Sequence, residues 1–424
     1  MLNHMLDLPR RARRRFARIN DWITQRQPVT PPPQVTPQYF YVTGCDHPND
    51  RVYWENLKEY FDGVGVATRQ IVLANEGGQR PELGQCLNGD AIAVIGHNWQ
   101  LDHSWIRGTP FLALAALAKI PVIQWFHDHP SAIWPRLMHS TATNSRFLFQ
   151  SAYSERYFRR FILPICASGW TAGTGPTRYS RIAECRHDDY MARVIKCILP
   201  FNLRRLGGTL AEANQRLEAL PAELRAAASA AIESAYHDLL APIETHFFND
   251  APPPQLLDKP DRFHHCIQII EEIVQIKRRL EVFAVAAAFP VLIQSDITPP
   301  GVADNGVATI DLDVSMAETA TRFKNARAVV SLSHVNDEIH NRTLNALNAG
   351  AVNIVEDNAV HRRFFTHGVN ALLFRYGDNS LHEALDLVCS RPDRAYEIAQ
   401  AAMALRDDPR LKLGGFDNFV ALAG

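Results

Sequence analysis

The sequence lacks several features that mark special classes of protein. No apolar stretch approaches the about 20 residues that a membrane-spanning helix needs, and the first stretch of chain has no apolar core of the kind found in secretory signals. The formal net charge of −1 over 424 residues excludes a chain built as a whole for nucleic acid. The composition is that of an ordinary globular protein with one to three domains.

The sequence also lacks paired cysteines, since its seven cysteines are scattered singly and form no CxxC motif. Because their number is odd, at least one of them cannot form a disulfide bond within the chain. A reducing compartment is the simpler interpretation, because disulfide bonds persist mainly in oxidising ones. We therefore expect a cytoplasmic protein.

Residues 1–37 form a basic segment followed by a proline-rich linker. Six arginines lie among apolar residues between Leu6 and Ile23. Such a segment has two interpretations: contact with an anionic membrane surface, or an ordinary terminal helix that is solvated or packed on the protein. The first would place the protein peripherally on the inner face of the membrane. The linker, PVTPPPQVTPQ, is typical of a stiff, extended chain.

Residues 38–192 show strands alternating with helices. Apolar runs predict strands at 39–43, 91–95, 121–126 and 146–150, and helical patterns occur at 49–61, 111–119 and 154–161. This alternation predicts a parallel sheet with helices on both faces, hence an α/β fold. Polar loops follow the strands, at the edge where open α/β sheets bind their ligands. Three of these loops contain histidine.

Residues 193–400 repeat the pattern around a helical insertion at about 207–260. The most informative part predicts a strand at 328–332, a helix that closes at Gly350, and a strand at 351–355. Acidic and amide residues follow the second strand. The helix N-terminus in such a β-α-β unit presents free N–H groups, which suit a phosphate group. Residues 401–424 are predicted to form a C-terminal helical tail.

This stretch resembles a known family. Residues 341–351, NRTLNALNAGA, are similar to the donor-site helix of group 1 glycosyltransferases of the two-domain GT-B type, above all the spore-maturation-protein type. Residues 356–385 are similar to the segment that follows in that family. The resemblance implies two Rossmann-like domains facing across a cleft, with a nucleotide-sugar donor in the second and an acceptor in the first. It also implies sugar transfer without a metal ion or other cofactor.

Polar residues on the carboxyl edge of the second sheet are the candidates for donor binding. An arginine in the first turn of the helix can bind a diphosphate through two hydrogen bonds, and the resemblance adds a basic residue after the first strand of this domain. The predicted donor-binding residues are Arg204, His334, Glu338, Asn341, Arg342, Asn345, Asp357 and Asn358. Each has the alternative of a purely structural role in its loop.

The histidine-containing loops of the first domain are the candidates for acceptor binding. We expect His127 or Asp128 to act as general base toward an acceptor hydroxyl, and Asp46, His97 and His129 to contact the acceptor. His127 and His129 also invite a metal interpretation, but no remote third ligand is identifiable, so we expect no metal site. The expected acceptor is a glycan, a lipid-linked molecule or a protein, and not nucleic acid.

Asn345 departs from the family pattern. The family has a glutamate here that holds the ribose of the nucleotide, whereas an amide brings hydrogen bonds but no negative charge. The sequence therefore leaves three functions open: a glycosyltransferase, in bacterial surface glycan or glycoconjugate synthesis; a noncatalytic nucleotide- or sugar-binding protein; and a nucleotide-sugar epimerase on the same fold. It does not specify the sugar, the nucleotide base, or whether the anomeric configuration is retained.

Overall fold

The computed structural model describes residues 39–45, 48–73, 78–97, 101, 104–126, 129–137, 145–162, 167–171, 180–201, 209–235, 240–248, 260–299, 302, 307–312, 314, 316–333, 339–408, 411 and 417–423. The chain divides into two compact units. The first comprises Met1–Phe149, Phe158–Gly169 and Phe416–Gly424, and the second comprises Gln150–Tyr157 and Trp170–Gly415. Each contains a six-stranded sheet with helices, which confirms the predicted α/β class with two Rossmann-like domains.

The described strands are β1 Tyr39–Cys45, β2 Ala67–Leu73, β3 Gly78–Gln79, β4 Ala91–His97, β5 Ser104–Ile106, β6 Thr109–Pro110, β7 Val122–Phe126, β8 Ser145–Phe149, β9 Ser168–Trp170, β10 Ile195–Pro200, β11 Leu292–Ser295, β12 Thr309–Leu312, β13 Ala326–Ser331, β14 Val352–Glu356 and β15 Leu372–Phe374. The described α-helices are α1 Pro48–Gly63, α2 Phe111–Leu117, α3 Pro130–Leu137, α4 Ala152–Phe161, α5 His187–Met191, α6 Leu210–Glu218, α7 Ala222–Ser234, α8 Leu240–Phe248, α9 Pro260–Ala286, α10 Met316–Phe323, α11 Asn341–Asn348, α12 Ser380–Ser390, α13 Pro392–Met403 and α14 Asp417–Ala423.

The main sheet of the first unit has the strand order β2-β1-β4-β7-β8-β9. The strands from β2 to β8 pair in parallel, as the sequence predicted. Strand β2 escaped prediction because it lies at the sheet edge, where only Ile71 and Leu73 of its seven residues are buried. A short sheet of β3, β5 and β6 adjoins helix α2.

The last helix of the chain, α14, belongs to the first unit. Phe419 is fully buried, and its ring centre lies 5.2 Å from that of Trp125 and 6.2 Å from that of Phe61. The Tyr60 hydroxyl donates a hydrogen bond of 2.9 Å to the Asp417 carboxylate. The final residues of the sequence therefore complete the core that its first strands begin.

The sheet of the second unit has the order β12-β11-β10-β13-β14-β15, and its neighbouring strands pair in parallel. The largest apolar core lies on one face, where Val282 and Phe283 of α9 pack with Leu199, Val330 and Ile354 of the strands. Helices α10 and α11 cover the other face through a second apolar cluster. Both faces of the sheet are thus buried, which is the usual state of a parallel sheet.

The predicted helical insertion is present between β10 and β11. Helix α6 begins at a reciprocal cap in which Thr209 accepts from the backbone of Glu212 and the Glu212 carboxylate accepts from the backbone of Thr209. Pro221 separates α6 from α7, as predicted, because proline cannot continue a helix in its interior. Within the described residues, no helix is both long and apolar enough to cross a bilayer.

Candidate functional site

In each sheet the chain first adds strands on one side of its starting strand and then adds the later strands on the other side. The position between the starting strand and the first of these later strands is the topological switch point of the sheet. In the second unit this point lies between β10 and β13, because β11 and β12 extend the sheet on one side and β14 and β15 on the other. In the first unit it lies between β1 and β4. The carboxyl ends of the two central strands leave a crevice at such a point, and ligands of open α/β sheets bind there.

Arg342 lies at the crevice of the second unit. Its guanidinium carbon is 5.3 Å from the centre of the Phe201 ring, which follows β10, and its Nη1 donates a hydrogen bond of 3.4 Å to the carbonyl oxygen of Leu332, which follows β13. The side chain is half-buried. The structure therefore places a permanent positive charge between the ends of the two central strands.

Helix α11 directs its N-terminus to the same crevice. The His340 ring is the N-cap, since its Nδ1 accepts from the backbone N–H of Arg342 over 3.2 Å. Asn341 is the first residue of the helix and is half-buried. The dipole of the helix places a partial positive charge at its N-terminus, and the arginine in the first turn adds its own charge. These two features together can hold a phosphate group.

Asn345 has a different environment from the one the resemblance implies. Its side-chain oxygen accepts a hydrogen bond of 2.9 Å from the Ser180 hydroxyl, and the residue is buried. The neighbouring Thr343 hydroxyl donates to that of Ser331 in β13 over 3.0 Å. Asn345 thus contributes to the packing of α11 within the unit.

Glu356 is a polar residue whose importance the sequence did not reveal. It is buried at the end of β14, where one carboxylate oxygen accepts from both the backbone N–H and the hydroxyl of Ser333. The other oxygen accepts from the hydroxyl of Tyr376. Burial raises the pKa of this carboxyl, while Arg278 and the hydrogen bonds oppose the shift. Glu356 therefore connects the segments that follow β13 and β15.

Two buried arginines of α9 balance the Glu356 charge. Arg278 and Arg279 are only 3% and 6% exposed. The Arg278 guanidinium carbon lies 5.1 Å from the centre of the Tyr376 ring. Burial lowers the pKa of Arg279 to about 10, although Tyr376, Asp296 and Glu356 act in the opposite direction. Charged side chains are almost never buried without such partners. Buried charges of opposite sign, on Glu356 and on the two arginines, therefore lie together at the carboxyl edge of the second sheet.

Asp357 and Asn358, both predicted to bind the donor, take part in local contacts. The Asp357 carboxylate pairs with Arg362 and Arg375, each over 2.8 Å to Oδ2. The bonds from Arg362 are the main reason that the pKa of this carboxyl is lowered to about 2. The Asn358 side-chain oxygen accepts from the backbone N–H of His361 over 2.8 Å. These residues shape the turn after β14.

The crevice of the first unit forms a small pocket of mostly apolar character. It is lined by the end of β1, by Gln70 of β2, by the end of β4, by Trp125 of β7, and by Trp54 and Leu57 of α1. His97, predicted to contact the acceptor, is among the lining residues, and its ring centre is 6.3 Å from that of Trp125. The Thr43 hydroxyl is satisfied by a hydrogen bond of 3.1 Å to the Ile95 carbonyl oxygen.

His129 lies at the start of α3 and not among the residues that line this pocket. Its Nδ1 accepts from the backbone N–H of Ser131 over 3.3 Å and is 2.9 Å from the Ser131 hydroxyl. His129 is buried in this position. The remaining predicted site residues lie outside the described residues; they are Asp46, His127, Asp128, Arg204, His334 and Glu338.

Metal binding has no support in the part of the chain that the structure describes. No group of three or more His, Cys, Asp or Glu side chains there is arranged to hold a metal ion. Arg342 and the start of α11 characterise the crevice of the second unit, and aromatic and apolar side chains characterise that of the first.

The sequence of residues 293–407 matches the family described as glycosyl transferase-like. The matched stretch contains most of β11, the strands β12 to β15, helix α11 and Arg342, so it includes one side of the crevice of the second unit. The match confirms the resemblance that residues 341–385 show. No curated protein matches the chain in sequence.

Solved structures of glycosyltransferases align with the chain over most of its length. HepE of Anabaena, in complex with UDP and glucose, is 9% identical, with a TM-score of 0.44, and the alignment covers 91% of this chain and 98% of HepE. WaaG, involved in lipopolysaccharide biosynthesis, is 9% identical, with a TM-score of 0.46 and coverage of 91% and 100%. The DNA-modifying β-glucosyltransferase is 8% identical, with a TM-score of 0.49 and coverage of 91% and 99%.

Proposed function

We propose that the protein is a glycosyltransferase that moves a sugar from a nucleotide-sugar donor to an acceptor. One observation carries the proposal: Arg342 and the N-terminus of α11 meet at the crevice between β10 and β13, within a region that matches a glycosyl transferase-like family. A nucleotide-sugar carries a diphosphate, and this crevice supplies the positive charge of the Arg342 guanidinium and the positive end of the α11 dipole, both of which suit a diphosphate.

The chemistry follows from the charge of the leaving group. When the bond between the sugar and the diphosphate breaks, the departing phosphate oxygen gains negative charge. Arg342 and the positive end of the α11 dipole would stabilise that charge, and groups that are already oriented do so without further reorganisation. The Glu356 carboxylate holds Ser333 at the end of β13, so it keeps the crevice wall in place. Catalysis in this scheme requires no metal ion or other cofactor.

The acceptor in this proposal binds to the first unit, where His97 lines the crevice between β1 and β4. We propose a glycan, lipid-linked or protein acceptor, used in bacterial surface glycan or glycoconjugate synthesis, on the strength of the resemblance of residues 341–385. Transfer would occur in the cytoplasm, with peripheral contact to the inner membrane face through the basic residues 1–37, which lie outside the described residues.

Asn345 favours a second candidate, a noncatalytic nucleotide- or sugar-binding protein. The family glutamate that holds the ribose is absent, and the asparagine that replaces it is engaged by Ser180. A donor site without this acid could bind a nucleotide and still fail in transfer. Release of nucleoside diphosphate from a nucleotide-sugar in the presence of candidate acceptors would establish the transferase, while binding without release would establish the second candidate.

Thermal unfolding with UDP, GDP, CDP, ADP, TDP and CMP is the first test. A ligand present at about 100 times its Kd raises the free energy of unfolding by about 2.7 kcal/mol if it binds only the folded protein. We expect one nucleotide to raise the Tm clearly, and EDTA to leave this shift unchanged. Failure of all six at millimolar concentration would contradict the transferase and favour the noncatalytic candidate.

Variants of Arg342 connect that shift to the crevice. Arg342→Gln is expected to weaken nucleotide binding about ten- to hundredfold, because charge-assisted hydrogen bonds contribute about 1.5–3 kcal/mol. Arg342→Lys keeps the positive charge but loses the planar pair of N–H donors, so its nucleotide affinity should lie between that of Arg342→Gln and that of the unmodified protein. Arg262→Gln, at an exposed position of α9, is the matched control and should bind like the unmodified protein.

A further inference from the structure

Helix α11 lies beside strand β13, and an arginine links the two elements at each end. At the crevice, Arg342 of the helix donates a hydrogen bond of 3.4 Å to the carbonyl oxygen of Leu332, which follows the strand. At the far end, Arg193 donates one of 2.6 Å to the carbonyl oxygen of Ala326, the first residue of the strand, and two more to carbonyl oxygens that end the helix. The position of α11 along β13 is therefore fixed at two points.

Arg193 supplies hydrogen-bond donors to the C-terminal end of α11. Its Nη2 donates over 2.8 Å to the carbonyl oxygen of Ala349, and its Nη1 donates over 2.9 Å to that of Gly350. Carbonyl groups at the end of a helix have no intrahelical donor, and the negative end of the helix dipole favours a cation there. The φ of +60° at Gly350 is the left-handed conformation that often ends a helix. Arg193 thus acts as a C-terminal cap that comes from another segment of the chain.

The environment of Arg193 suits a guanidinium and not an ammonium group. Arg193 is only 8% exposed, and its fourth hydrogen bond, of 3.2 Å, goes to the sulfur of Cys185. Burial lowers the pKa of Arg193, but an arginine keeps its charge in proteins. A planar guanidinium directs its N–H donors outward in fixed directions and can reach three carbonyl groups at once, whereas the donors of an ammonium group surround one atom. Arg193→Lys should therefore keep the charge and loosen the link.

We propose that Arg193 is a positioning residue for Arg342: by fixing α11 along β13, it places the Arg342 guanidinium at the crevice. That the crevice binds a nucleotide rests on the proposed function. The eight residues of α11 separate the two ends of the helix by about 12 Å, so Arg193 acts through the helix and not on the ligand. A phosphate that binds Arg342 competes with the Leu332 carbonyl group for its guanidinium. When that bond is given up, Arg193 is the arginine that still joins the helix to the strand.

Amide hydrogen exchange without nucleotide tests the placement of the helix. The backbone N–H groups of Arg342 and Thr343, at the crevice end, are bonded to His340 in the folded protein. Arg193→Lys is expected to accelerate their exchange at least about threefold, because a helix released at one end opens more often as a unit. Faster exchange that is confined to residues 348–351 would show that Arg193 serves the last turn alone, and would overturn the proposal.

Arg327→Lys is the matched control for this measurement. Arg327 lies in β13 beside Ala326 and also donates to a backbone carbonyl group, that of Met191, over 2.7 Å, but its described hydrogen bonds do not reach α11. The control should leave the exchange of Arg342 and Thr343 unchanged. Equal acceleration by the two variants would indicate a general loss of stability and would contradict the proposal.

A comparison in two backgrounds tests the effect on the ligand. Titration calorimetry with the nucleotide that gives the largest Tm shift should show an affinity about three- to tenfold lower for Arg193→Lys, a part of what one charge-assisted hydrogen bond contributes. In the Arg342→Gln background the same change should weaken binding less than about twofold, because the group that Arg193 places is already absent. Independent sites would show the same loss in both backgrounds, and that result would overturn the proposal.

The two measurements separate this proposal from the proposed function. If no nucleotide binds the unmodified protein, the proposed function fails, and the exchange rates of Arg193→Lys still decide whether Arg193 positions α11. If Arg193→Lys does not fold, hydrogen exchange of the unmodified protein at increasing urea concentration takes its place. The amides of residues 342–343 and 349–351 should then share one opening free energy, and a much lower value for either group would contradict the proposal.

Discussion

The two units have a crevice at the corresponding position of their sheets, but the residues at one crevice are charged and those at the other are mostly apolar. Both sheets reverse the direction of strand addition at one point, and both have a crevice there. In the second unit the crevice is bounded by Arg342 and is supported by the buried charges of Glu356, Arg278 and Arg279. In the first it is lined by apolar side chains and Trp54. Topology thus selects the position of a ligand site, and side chains select its ligand.

The largest difference between the two crevices should appear when a supporting charge is removed. Glu356→Gln keeps the shape of the side chain but removes the buried negative charge that interacts with Arg278 and Arg279, which we expect to cost about 3 kcal/mol of unfolding free energy. Urea unfolding followed by circular dichroism would measure this cost. Glu233→Gln, at an exposed position of α7, is the control. Equal stability of the two variants would show that the buried charges contribute nothing.

Salt should act on the charged crevice of the second unit. Raising the NaCl concentration from about 0.05 M to about 0.5 M is expected to weaken nucleotide binding roughly fivefold, because screening reduces the attraction between phosphate and Arg342. Titration calorimetry at the two salt concentrations would test this. A salt-independent nucleotide affinity would argue against an electrostatic role for Arg342.

The first crevice offers a smaller effect on stability. Thr43→Val removes the hydroxyl that donates to the Ile95 carbonyl and should cost about 1 kcal/mol of unfolding free energy. Thr68→Val is the matched control, since the buried Thr68 hydroxyl on β2 has no hydrogen-bond partner among the described residues. It should be neutral or stabilising. Urea unfolding of the two variants would decide, and a larger loss for Thr68→Val would contradict the expectation.

The smallest effect concerns acid stability and belongs to the second unit alone. The pKa of Asp357 is lowered from 3.8 to about 2, so its ion pairs stabilise the folded protein above pH 3.8 and lose that contribution as the pH falls toward 2. Because Arg362 and Arg375 are more than half exposed, the contribution should be under about 1 kcal/mol. Asp357→Asn should flatten this part of the stability curve, measured by thermal unfolding between pH 2 and 5.

The sequence predicted the strands and helices well wherever apolar runs are continuous. Strand β13 is an example, since its last four residues are buried, three of them apolar and the fourth a serine. It failed at β2, whose polar residues face outward from a sheet edge. The predicted end of a strand is one residue early where a charged residue is buried. The sequence predicts the strand to end at residue 355, whereas the buried Glu356 is the last residue of β14.

The sequence predicted the site less well than the fold, because it does not show which charged side chains are buried and which are exposed. Arg278 looks like a solvent-exposed position of a long helix. Its spacing holds a signal, however: Glu271, Gln275, Arg278 and Val282 recur at helical intervals and are all buried. A polar stripe along the buried face of a helix indicates a buried network.

The position of α14 has a consequence for any attempt to separate the two units. Because Phe419 packs on Trp125 and Asp417 bonds to Tyr60, the first unit is assembled from both ends of the chain. A single cut between the two sheets would separate α14 from the first unit and leave the apolar contacts of Phe419 unfilled. Along the sequence the second unit interrupts the first, so the core of the first unit can be completed only after the second unit has been synthesised.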